Sequence, residues 1–262
     1  MQINHRAKKS LGQNFLQDDN IARKIVDSLG ITADDSVIEI GPGQGALTRF
    51  IREAGPASLK LIEMDRDLAP ALAQEYPEAE VVQLDALKFD WSKLDPSVSW
   101  KIVGNLPYNV ASKIMWDVAS GCNATCVFMV QHEVGQRITA EPGSRKYGAI
   151  SVWIQSFCRV VYLFKVPPTV FRPRPKVDSA VIKFFPRAAD EKPVDIEGLA
   201  GFVKYCFQYR RKQLGKILKS FISDCMLEWA EKEGVALSDR PEALSPLQFQ
   251  GLHKCIKNDF PS

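Results

Sequence analysis

The chain has 262 residues, of which 45% are hydrophobic and 25% are charged, and its formal net charge is +3. This composition is ordinary for a globular protein and excludes a disordered chain, a collagen-like chain and a small disulfide scaffold. The length predicts one large domain and one small domain. Because the net charge is close to zero, any nucleic-acid signal must come from local clusters of basic residues.

The cysteine and histidine content argues against a metal centre. The six cysteines form no CxxC pair, and the chain has only three histidines. Cysteines in this pattern are typical of reduced residues in a cytosolic protein. The N-terminus is basic without an apolar segment, and no apolar run approaches the length of a membrane span. We therefore expect a cytoplasmic protein with no metal, no membrane association and a monomeric state.

The N-terminal two thirds of the chain alternate between helical and strand patterns. Apolar residues at helical spacing begin after residue 18, and Gly30 is a helix stop. Strands separated by helical stretches predict a mostly parallel sheet with helices on both faces, which is an α/β fold. Two further strands follow each other without a helix and predict a hairpin at the sheet edge. The predicted strands are 36–40, 59–64, 80–84, 100–104, 125–130, 158–166 and 178–185.

The pattern changes after Pro186. Residues 187–195 are polar and contain a proline, as in a linker. Residues 196–262 show helical periodicity and no convincing strand. The sequence therefore predicts a domain over 1–186 and, over 187–262, a linker followed by a small all-helical domain.

A glycine-rich loop follows the first strand of the sheet. Gly41, Gly43 and Gly45 directly precede a helix, and glycines there let a ligand approach the backbone closely. The same segment also matches a dinucleotide-binding pattern, so the loop alone does not choose between cofactors. Glu63 ends the next strand, where a carboxylate can accept both ribose hydroxyls of an adenosyl group. Asp85 ends the third strand and could bind an adenine amine or could equally cap a helix.

The segment with the clearest chemistry is Asn105-Leu106-Pro107-Tyr108, at the end of the fourth strand. The nitrogen of an aromatic amine is a poor nucleophile because its lone pair is delocalised into the ring. Two acceptors, the Asn105 side-chain oxygen and the Leu106 carbonyl, could grip its N–H groups and favour a pyramidal nitrogen. Pro107 would stiffen that carbonyl, and Tyr108 could stack on the base. Away from a strand end, these four residues would be an ordinary turn.

Several segments together resemble one family, the ribosomal RNA adenine-N6,N6-dimethyltransferases, and most closely their bacterial small-subunit type. These segments occur in family order along nearly the whole chain, which is more specific than any single motif. They are KKSLGQNFLQD (8–18), VIEIGPGQGALT (37–48), LIEMDRDL (61–68), QLDAL (83–87), VGNLPYN (103–109), KYGAISV (146–152), VPPTVFRPRPKVDSAV (166–181) and FQYRRKQL (207–214).

The resemblance implies a Rossmann-like class I methyltransferase sheet followed by a small helical domain, with S-adenosylmethionine as methyl donor. By motif position, the donor contacts would be Asn14, Leu16, Gly41, Glu63, Asp85 and Asn105. The implied substrate is small-subunit (16S-type) ribosomal RNA in an assembling 30S-type particle, modified late in assembly. Arg172 and Arg174 are more basic than the family's usual residues at those positions.

Three clusters of basic residues are candidates for RNA contacts, since such charges neutralise phosphates. The first contains His5, Arg6, Lys8 and Lys9. The second contains Arg172, Arg174 and Lys176, and the third contains Lys204, Arg210, Arg211, Lys212, Lys216 and Lys219. On a helix, the last cluster would fan over one surface, although a merely solvated helix face remains an alternative. Phe171 is a candidate second stacking face for a flipped adenine, or an ordinary core residue.

Three rival functions remain open at this stage. A large-subunit resistance methylase shares the Asn-Leu-Pro-Tyr chemistry, but the segments 166–181 and 207–214 favour the small-subunit type. A nicotinamide-dependent dehydrogenase would leave the Asn-Leu-Pro-Tyr segment unexplained. A catalytically inactive RNA-binding factor on the same fold is disfavoured by the intact glycine loop.

Overall fold

The computed structural model describes residues 5, 7–8, 11–256 and 260, and its chain divides into two compact units. The first unit comprises Met1–Gly135 and Val160–Pro186, and the second comprises Gln136–Arg159 and Arg187–Ser262. This division differs from the two continuous domains expected from the sequence, because residues 136–159 group with the C-terminal helices. Their helix carries a buried apolar face that packs on helices from beyond residue 195.

A seven-stranded sheet forms the centre of the first unit. Its strands in spatial order are β4, β3, β2, β5, β6, β9 and β7. The first five are parallel to their neighbours, and β9 runs antiparallel to β6. The expected α/β fold with an edge hairpin is therefore confirmed. The strand bounds are β2 Ser36–Ile40, β3 Ser58–Glu63, β4 Glu80–Gln83, β5 Trp100–Asn105, β6 Ala124–Gln131, β7 Cys158–Val166 and β9 Ser179–Pro186.

Two very short strands form a separate ladder in the same unit. Strand β1 (Phe15–Leu16) pairs antiparallel with β8 (Phe171–Arg172), with Leu16 opposite Phe171. All but Arg172 of these residues are buried, and they belong to the main hydrophobic cluster of the unit. The ladder therefore attaches the N-terminal segment to the chain between β7 and β9.

Among the helices of the first unit, α1 has clear local start and stop signals. Helix α1 begins after Asp18, whose carboxylate accepts hydrogen bonds from the Asn20 and Ile21 amides, and it ends at Gly30 in the left-handed conformation. Its buried residues recur at helical spacing on the face toward the sheet. The helix bounds are α1 Asp19–Leu29, α2 Thr48–Ala54, α3 Leu68–Glu75 and α4 Ala111–Gly121.

The regular secondary structure of the second unit is helical in its described residues, apart from Cys158 and Arg159 at the start of β7. Helix α5, His132–Ile138, crosses the division between the units. The other helices are α6 Ala149–Phe157, α7 Ile196–Gln208, α8 Leu214–Ile217, α9 Asp224–Lys232 and α10 Pro246–Ile256. Phe202 and Phe249 meet edge to face at 6.1 Å in its core. In the described part of the chain, no helix combines the length and apolar character that a membrane crossing needs.

Candidate active site at the carboxyl ends of the strands

A cleft opens where the strand order changes direction, at the carboxyl ends of β2 and β5. From β2 the chain continues to β3 and β4 on one side and then returns to β5 and β6 on the other, and such a switch point is where α/β sheets bind ligands. The cleft encloses about 920 Å³ including its open mouth. Its walls include the glycine loop after β2 and the ends of β3, β4 and β5, together with residues 11–15 from the N-terminal segment.

The glycine loop is held in place from below by an acidic side chain. The Gly43 amide donates to Glu63 Oε2 at 3.0 Å. Gly43 has φ +58°, and a Cβ there would lie 3.0 Å from the Phe15 ring. A side chain at this position would therefore be strained and crowded. At Gly41, also in the left-handed region, a Cβ would meet no atom within 4 Å, so the backbone there borders open space.

Glu63 is buried at the base of the cleft and ends strand β3. Its Oε1 accepts from the Asp65 amide at 2.9 Å, in addition to the Oε2 contact with the glycine loop. Burial raises the pKa of this carboxyl, and the backbone hydrogen bonds oppose that shift. Each carboxylate oxygen has a second lone pair, so Glu63 retains acceptor capacity toward the cleft.

Asp85 caps a short turn and also lines the cleft. Its Oδ1 accepts from the Leu87 amide at 3.0 Å and caps a short 3₁₀ turn over Ala86–Lys88. The residue also lines the cleft. The cap occupies one oxygen only, and within the described residues no hydrogen bond reaches Oδ2.

Glu39, inside strand β2, makes no side-chain hydrogen bond to the amides of the glycine loop among the described residues. Instead, its Oε2 accepts from the Thr48 hydroxyl at 2.6 Å, at the start of α2. Complete burial, together with the nearby charge of Glu63, raises the pKa of Glu39 to about 8. It is therefore largely protonated at neutral pH.

Hydrogen bonding fixes the orientation of the Asn105 amide. Its Nδ2 donates to the Asn14 carbonyl at 2.9 Å, across a separation of 91 residues. The Asn105 Oδ1 and the Leu106 carbonyl accept no hydrogen bond from any residue that the structure describes. Both residues line the cleft, and the Pro107 carbonyl accepts from the amides of Val110 and Ala111. Two acceptors thus remain at the end of β5.

Tyr108 is half-buried, and its hydroxyl is engaged. The hydroxyl and Ser179 Oγ are 2.6 Å apart, which links the loop after β5 to the first residue of β9. Burial raises the pKa of this phenol. The ring lines the cleft beside Pro107. The sequence did not foresee the contact with Ser179, because the two residues are 71 positions apart.

Comparison with known proteins identifies the family. The pattern described as Ribosomal RNA adenine dimethylase matches residues 4–258. The chain belongs to this family. The Ribosomal RNA small subunit methyltransferase A of Maridesulfovibrio salexigens is 80% identical over the full length of both chains. The protein of the same name from Oleidesulfovibrio alaskensis is 52% identical, covering 98% of this chain and 94% of its own.

Solved structures agree with the family at the level of the fold. A dimethyladenosine transferase from Plasmodium falciparum superposes with a TM-score of 0.76 at 22% identity, covering 91% of this chain and 95% of its own. The 23S rRNA methyltransferase ErmE superposes with a TM-score of 0.70 at 24% identity, covering 93% and 99%. The methyltransferase fold expected from the sequence is confirmed.

As a member of this adenine dimethylase family, the protein is an enzyme that uses S-adenosylmethionine. The cleft fits this donor chemically. The backbone at Gly41 borders open space, and the buried Glu63 keeps carboxylate lone pairs available to hydroxyl donors. Asp85 lies where an adenine amine could donate to it. Among the described residues there is no cluster of potential metal ligands.

Two expected site residues do not reach the cleft. Leu16 and Phe171 are 5% and 2% exposed, and both belong to the hydrophobic cluster of the first unit. Leu16 and Phe171 are register partners, so their side chains lie on the same face of the ladder, and both pack into this cluster. The structure therefore gives Phe171 the role of a core residue rather than a stacking face. The adjacent Phe15 does line the cleft.

The basic clusters differ in whether their charged groups are exposed and without a partner or bound to other residues. Arg172, Arg174 and Lys176 are exposed, and none has a partner among the residues that are described. Arg211 and Lys212 are also exposed, with Lys212 placed over the Tyr209 ring at 4.7 Å. The sequence put the last two on a helix together with Arg210, but α7 ends at Gln208 and residues 209–213 form a turn.

Other basic residues are committed to contacts within their own unit. Arg210 Nε lies 2.6 Å from Glu242 Oε2, and its Nη2 donates to the Arg145 carbonyl. Lys8 forms ion pairs with Asp65 and Asp67. These contacts remove Arg210 and Lys8 from the set of free phosphate ligands. Arg6 and Lys9, from the first cluster, lie outside the described residues.

Sequence reasoning missed Asp65, Gln13 and Met64. Met64 lines the cleft with a half-exposed apolar side chain. The side chains of Gln13 and Asp65 meet at 2.8 Å across 52 residues of sequence. The local sequence around Asp65 shows only an acidic residue two positions after Glu63. Periodicity alone does not distinguish such a residue from a helix cap.

Proposed function

We propose that this enzyme transfers two methyl groups to the N6 atoms of adenines in small-subunit (16S-type) ribosomal RNA. The observation that carries the proposal is the pair of uncommitted acceptors, Asn105 Oδ1 and the Leu106 carbonyl, at the open end of the cleft. The names of the relatives from Maridesulfovibrio and Oleidesulfovibrio support the small-subunit substrate. We further propose that the protein is a cytoplasmic monomer acting late on an assembling 30S-type particle.

The donor end of the cleft is assigned to S-adenosylmethionine. We assign its contacts to Asn14, Gly41, Gly43, Glu63, Asp85 and Asn105, all of which line the cleft. Glu63 would accept the ribose hydroxyls, and Asp85 Oδ2 would accept from the adenine amine. The bound donor supplies an electrophilic methyl group, and the residues of the chain determine its position.

The target amine binds at the other end, where the two acceptors converge. An exocyclic amine has two N–H groups, and accepting both draws the nitrogen toward a pyramidal geometry with its lone pair facing the donor. Asn105 can take this part because its Nδ2 is committed to the Asn14 carbonyl, leaving the oxygen outward. Pro107 holds the Leu106 carbonyl in position. No strong base is needed, because the proton becomes acidic once the nitrogen is alkylated.

Tyr108 is the proposed stacking surface for the flipped adenine. Its hydroxyl is bound by Ser179, so the orientation of the ring is fixed before a base arrives. Arg172, Arg174 and Lys176 precede Ser179 in the same stretch of chain and are exposed. We propose that they contact RNA phosphates near the entrance of the target. In the second unit, Arg211 and Lys212 are the proposed RNA contacts.

One assay separates this proposal from two alternatives, a large-subunit methylase and an RNA-binding factor without activity. The test is transfer of a radiolabelled methyl group from S-adenosylmethionine to immature 30S-type particles, with large-subunit particles in parallel. We expect N6,N6-dimethyladenosine in the small-subunit RNA alone. Label in large-subunit RNA would favour a large-subunit methylase, and no label on either particle would favour an RNA-binding factor without activity.

A variant checks that the cleft is the catalytic site. Asn105→Ala removes one of the two acceptors and should lower turnover roughly 100-fold, as loss of a positioning group does. Glu228→Gln, at an exposed position of α9 in the second unit, is the control and should keep its turnover. Wild-type turnover in Asn105→Ala would reject the proposed site.

A further inference from the structure

We propose that Asp65 is a positioning residue for methyl-donor binding, because it fastens the N-terminal arm beside the cleft. The arm is defined here as residues 5, 7–8 and 11–14. Asp65 does not itself line the cleft, whereas residues 11–14 of the arm do. Asp65 would therefore act on the donor through the arm. This inference rests on the assignment of the cleft as the donor site.

The Asp65 carboxylate is the point where the arm converges. Its side chain has no exposed surface. Oδ1 accepts from Lys8 Nζ at 2.5 Å and from the Asp67 amide at 3.0 Å. Oδ2 accepts from Gln13 Nε2 at 2.8 Å and lies 3.1 Å from His5 Nε2. Three side chains of the arm thus meet one buried carboxylate.

The charge of Asp65 makes these contacts specific. Burial alone would raise its pKa, but the hydrogen bonds from Lys8, Asp67 and Gln13 outweigh burial and hold the pKa at about 2. The group is therefore ionised at neutral pH. A buried carboxylate that loses its partners is costly, so displacement of the arm would be opposed by the desolvation of this charge.

The arm also touches the two loops that form the rest of the cleft. The Gln44 side chain, in the glycine loop, donates to the His5 carbonyl at 3.1 Å. At the other end, the Asn14 carbonyl accepts from Asn105. Gly12 has φ +63°, and a Cβ there would lie 3.0 Å from Asn109 Oδ1, so the turn of the arm sits closely against the loop after β5. The arm therefore spans the donor and target ends.

The arrangement also explains why Lys8 is not a phosphate ligand. Its ammonium lies between Asp65 and Asp67, at 2.5 and 2.7 Å. The Lys8 amide in turn donates to Gln13 Oε1 at 2.7 Å, which joins the two ends of the arm. The positive charge of Lys8 is thus paired within the protein, where it holds the arm against the Asp65 carboxylate.

The first test is donor affinity and steady-state kinetics of Asp65→Asn. The asparagine keeps the size but loses the charge, so the arm should be held less firmly. We expect the Kd and KM for S-adenosylmethionine to rise about tenfold, equivalent to the loss of a hydrogen bond to a charged group. At saturating donor, kcat should stay within about threefold of wild type, because the reacting amine is held by Asn105 and Leu106. Asp67→Asn, at the exposed outer partner of Lys8, is the matched control and should bind normally.

Hydrogen exchange separates positioning of the arm from a general loss of stability. In Asp65→Asn, amides of the arm should exchange faster, and saturating donor should restore their protection, while strand β2 stays as protected as in wild type. Faster exchange in β2 as well would assign Asp65 a purely structural role and overturn the proposal. If Asp65→Asn does not fold, Lys8→Met replaces it, since its side chain is partly exposed and the same local exchange is expected.

Glu63→Ala, measured in parallel, distinguishes a failure of the proposed role of the arm from a failure of the donor-site assignment. Wild-type affinity in Asp65→Asn with weakened affinity in Glu63→Ala would overturn the role of the arm and leave the donor site standing. Wild-type affinity in both variants would overturn the arm and the donor-site assignment together.

Discussion

At the level of single residues, the hydrogen bonds that hold a side chain also decide which of its atoms remain for a substrate. Asn105 is the clearest case, because its amide nitrogen is bound to the Asn14 carbonyl and its oxygen is left to face the cleft. Glu63 likewise uses one lone pair of each oxygen on backbone amides. Catalytic geometry here depends on neighbours as much as on residue type.

Tyr108 allows stacking and hydrogen bonding to be separated. Tyr108→Phe keeps the ring but loses the bond to Ser179, so we expect kcat to fall about two- to tenfold. Tyr108→Ala also loses the stacking surface and should fall about 100-fold. Single-turnover methyl transfer to immature 30S-type particles measures both. Ser179→Ala removes the same hydrogen bond from the other side and should match Tyr108→Phe. Equal loss in the phenylalanine and alanine variants would contradict stacking.

At the level of elements, the segment after α7 shows how a competing backbone partner ends a helix. The apolar spacing continues beyond Gln208, yet the Leu214 amide donates to the Asp239 carbonyl and the Gly215 amide to the Leu237 carbonyl. These bonds draw the chain out of the helix and leave a turn over 209–213. The consecutive cations Arg210, Arg211 and Lys212 consequently have different environments.

The turn predicts opposite effects for neighbouring basic residues. Arg211→Ala/Lys212→Ala should leave the Tm unchanged, weaken binding to 30S-type particles and reduce the slope of log K against log salt by roughly 0.7–0.9 per lost phosphate contact. Arg210→Ala should lower the Tm instead, because it removes the contacts with Glu242 and the Arg145 carbonyl. Thermal unfolding and filter binding at several salt concentrations measure the two effects. An unchanged salt slope in the double variant would identify a merely solvated surface.

At the level of the whole molecule, buried carboxyl groups make stability depend on pH in opposite directions. The pKa of Asp35 is held below its ordinary value because hydrogen bonds from Lys101, Ser99 and Thr32 outweigh the effect of burial. Asp65 behaves in the same way. Both contribute stability above their unfolded pKa, and this stability is lost as the pH falls. Glu39 has the reverse effect, since burial raises its pKa to about 8 from an ordinary value of 4.5.

Glu39→Gln is therefore expected to change how the free energy of unfolding depends on pH between about 4.5 and about 8. The folded wild type retains a proton that the unfolded chain loses above its pKa, so its free energy of unfolding falls as the pH rises from about 4.5 to about 8. Glutamine still accepts from Thr48 but does not titrate. We expect the variant to exceed wild type by about 1–3 kcal/mol at pH 8 and by less at pH 5. Denaturant unfolding at both values tests this, and a parallel pH dependence of the two proteins would contradict it.

The sequence by itself determined the seven strands of the main sheet, the glycine loop and the position of the Asn-Leu-Pro-Tyr segment, but not the short strands β1 and β8. Strand 158–166 has the expected bounds, and the other strands differ by one residue at either end or not at all. These features depend on local patterns, namely alternation of apolar residues, turn glycines and strand-end polar residues, which neighbours in sequence largely decide.

Only the tertiary structure decided which side chains are available for a substrate. The contacts responsible join residues far apart in sequence, such as Lys8 with Asp65 across 57 positions and Asn105 with Asn14 across 91. The same holds for Phe171, which is buried because β8 pairs with β1, and for Arg210, which is held by Glu242. A local pattern states that a residue is basic or aromatic, but its exposure and its hydrogen-bond partners depend on what the folded chain brings against it.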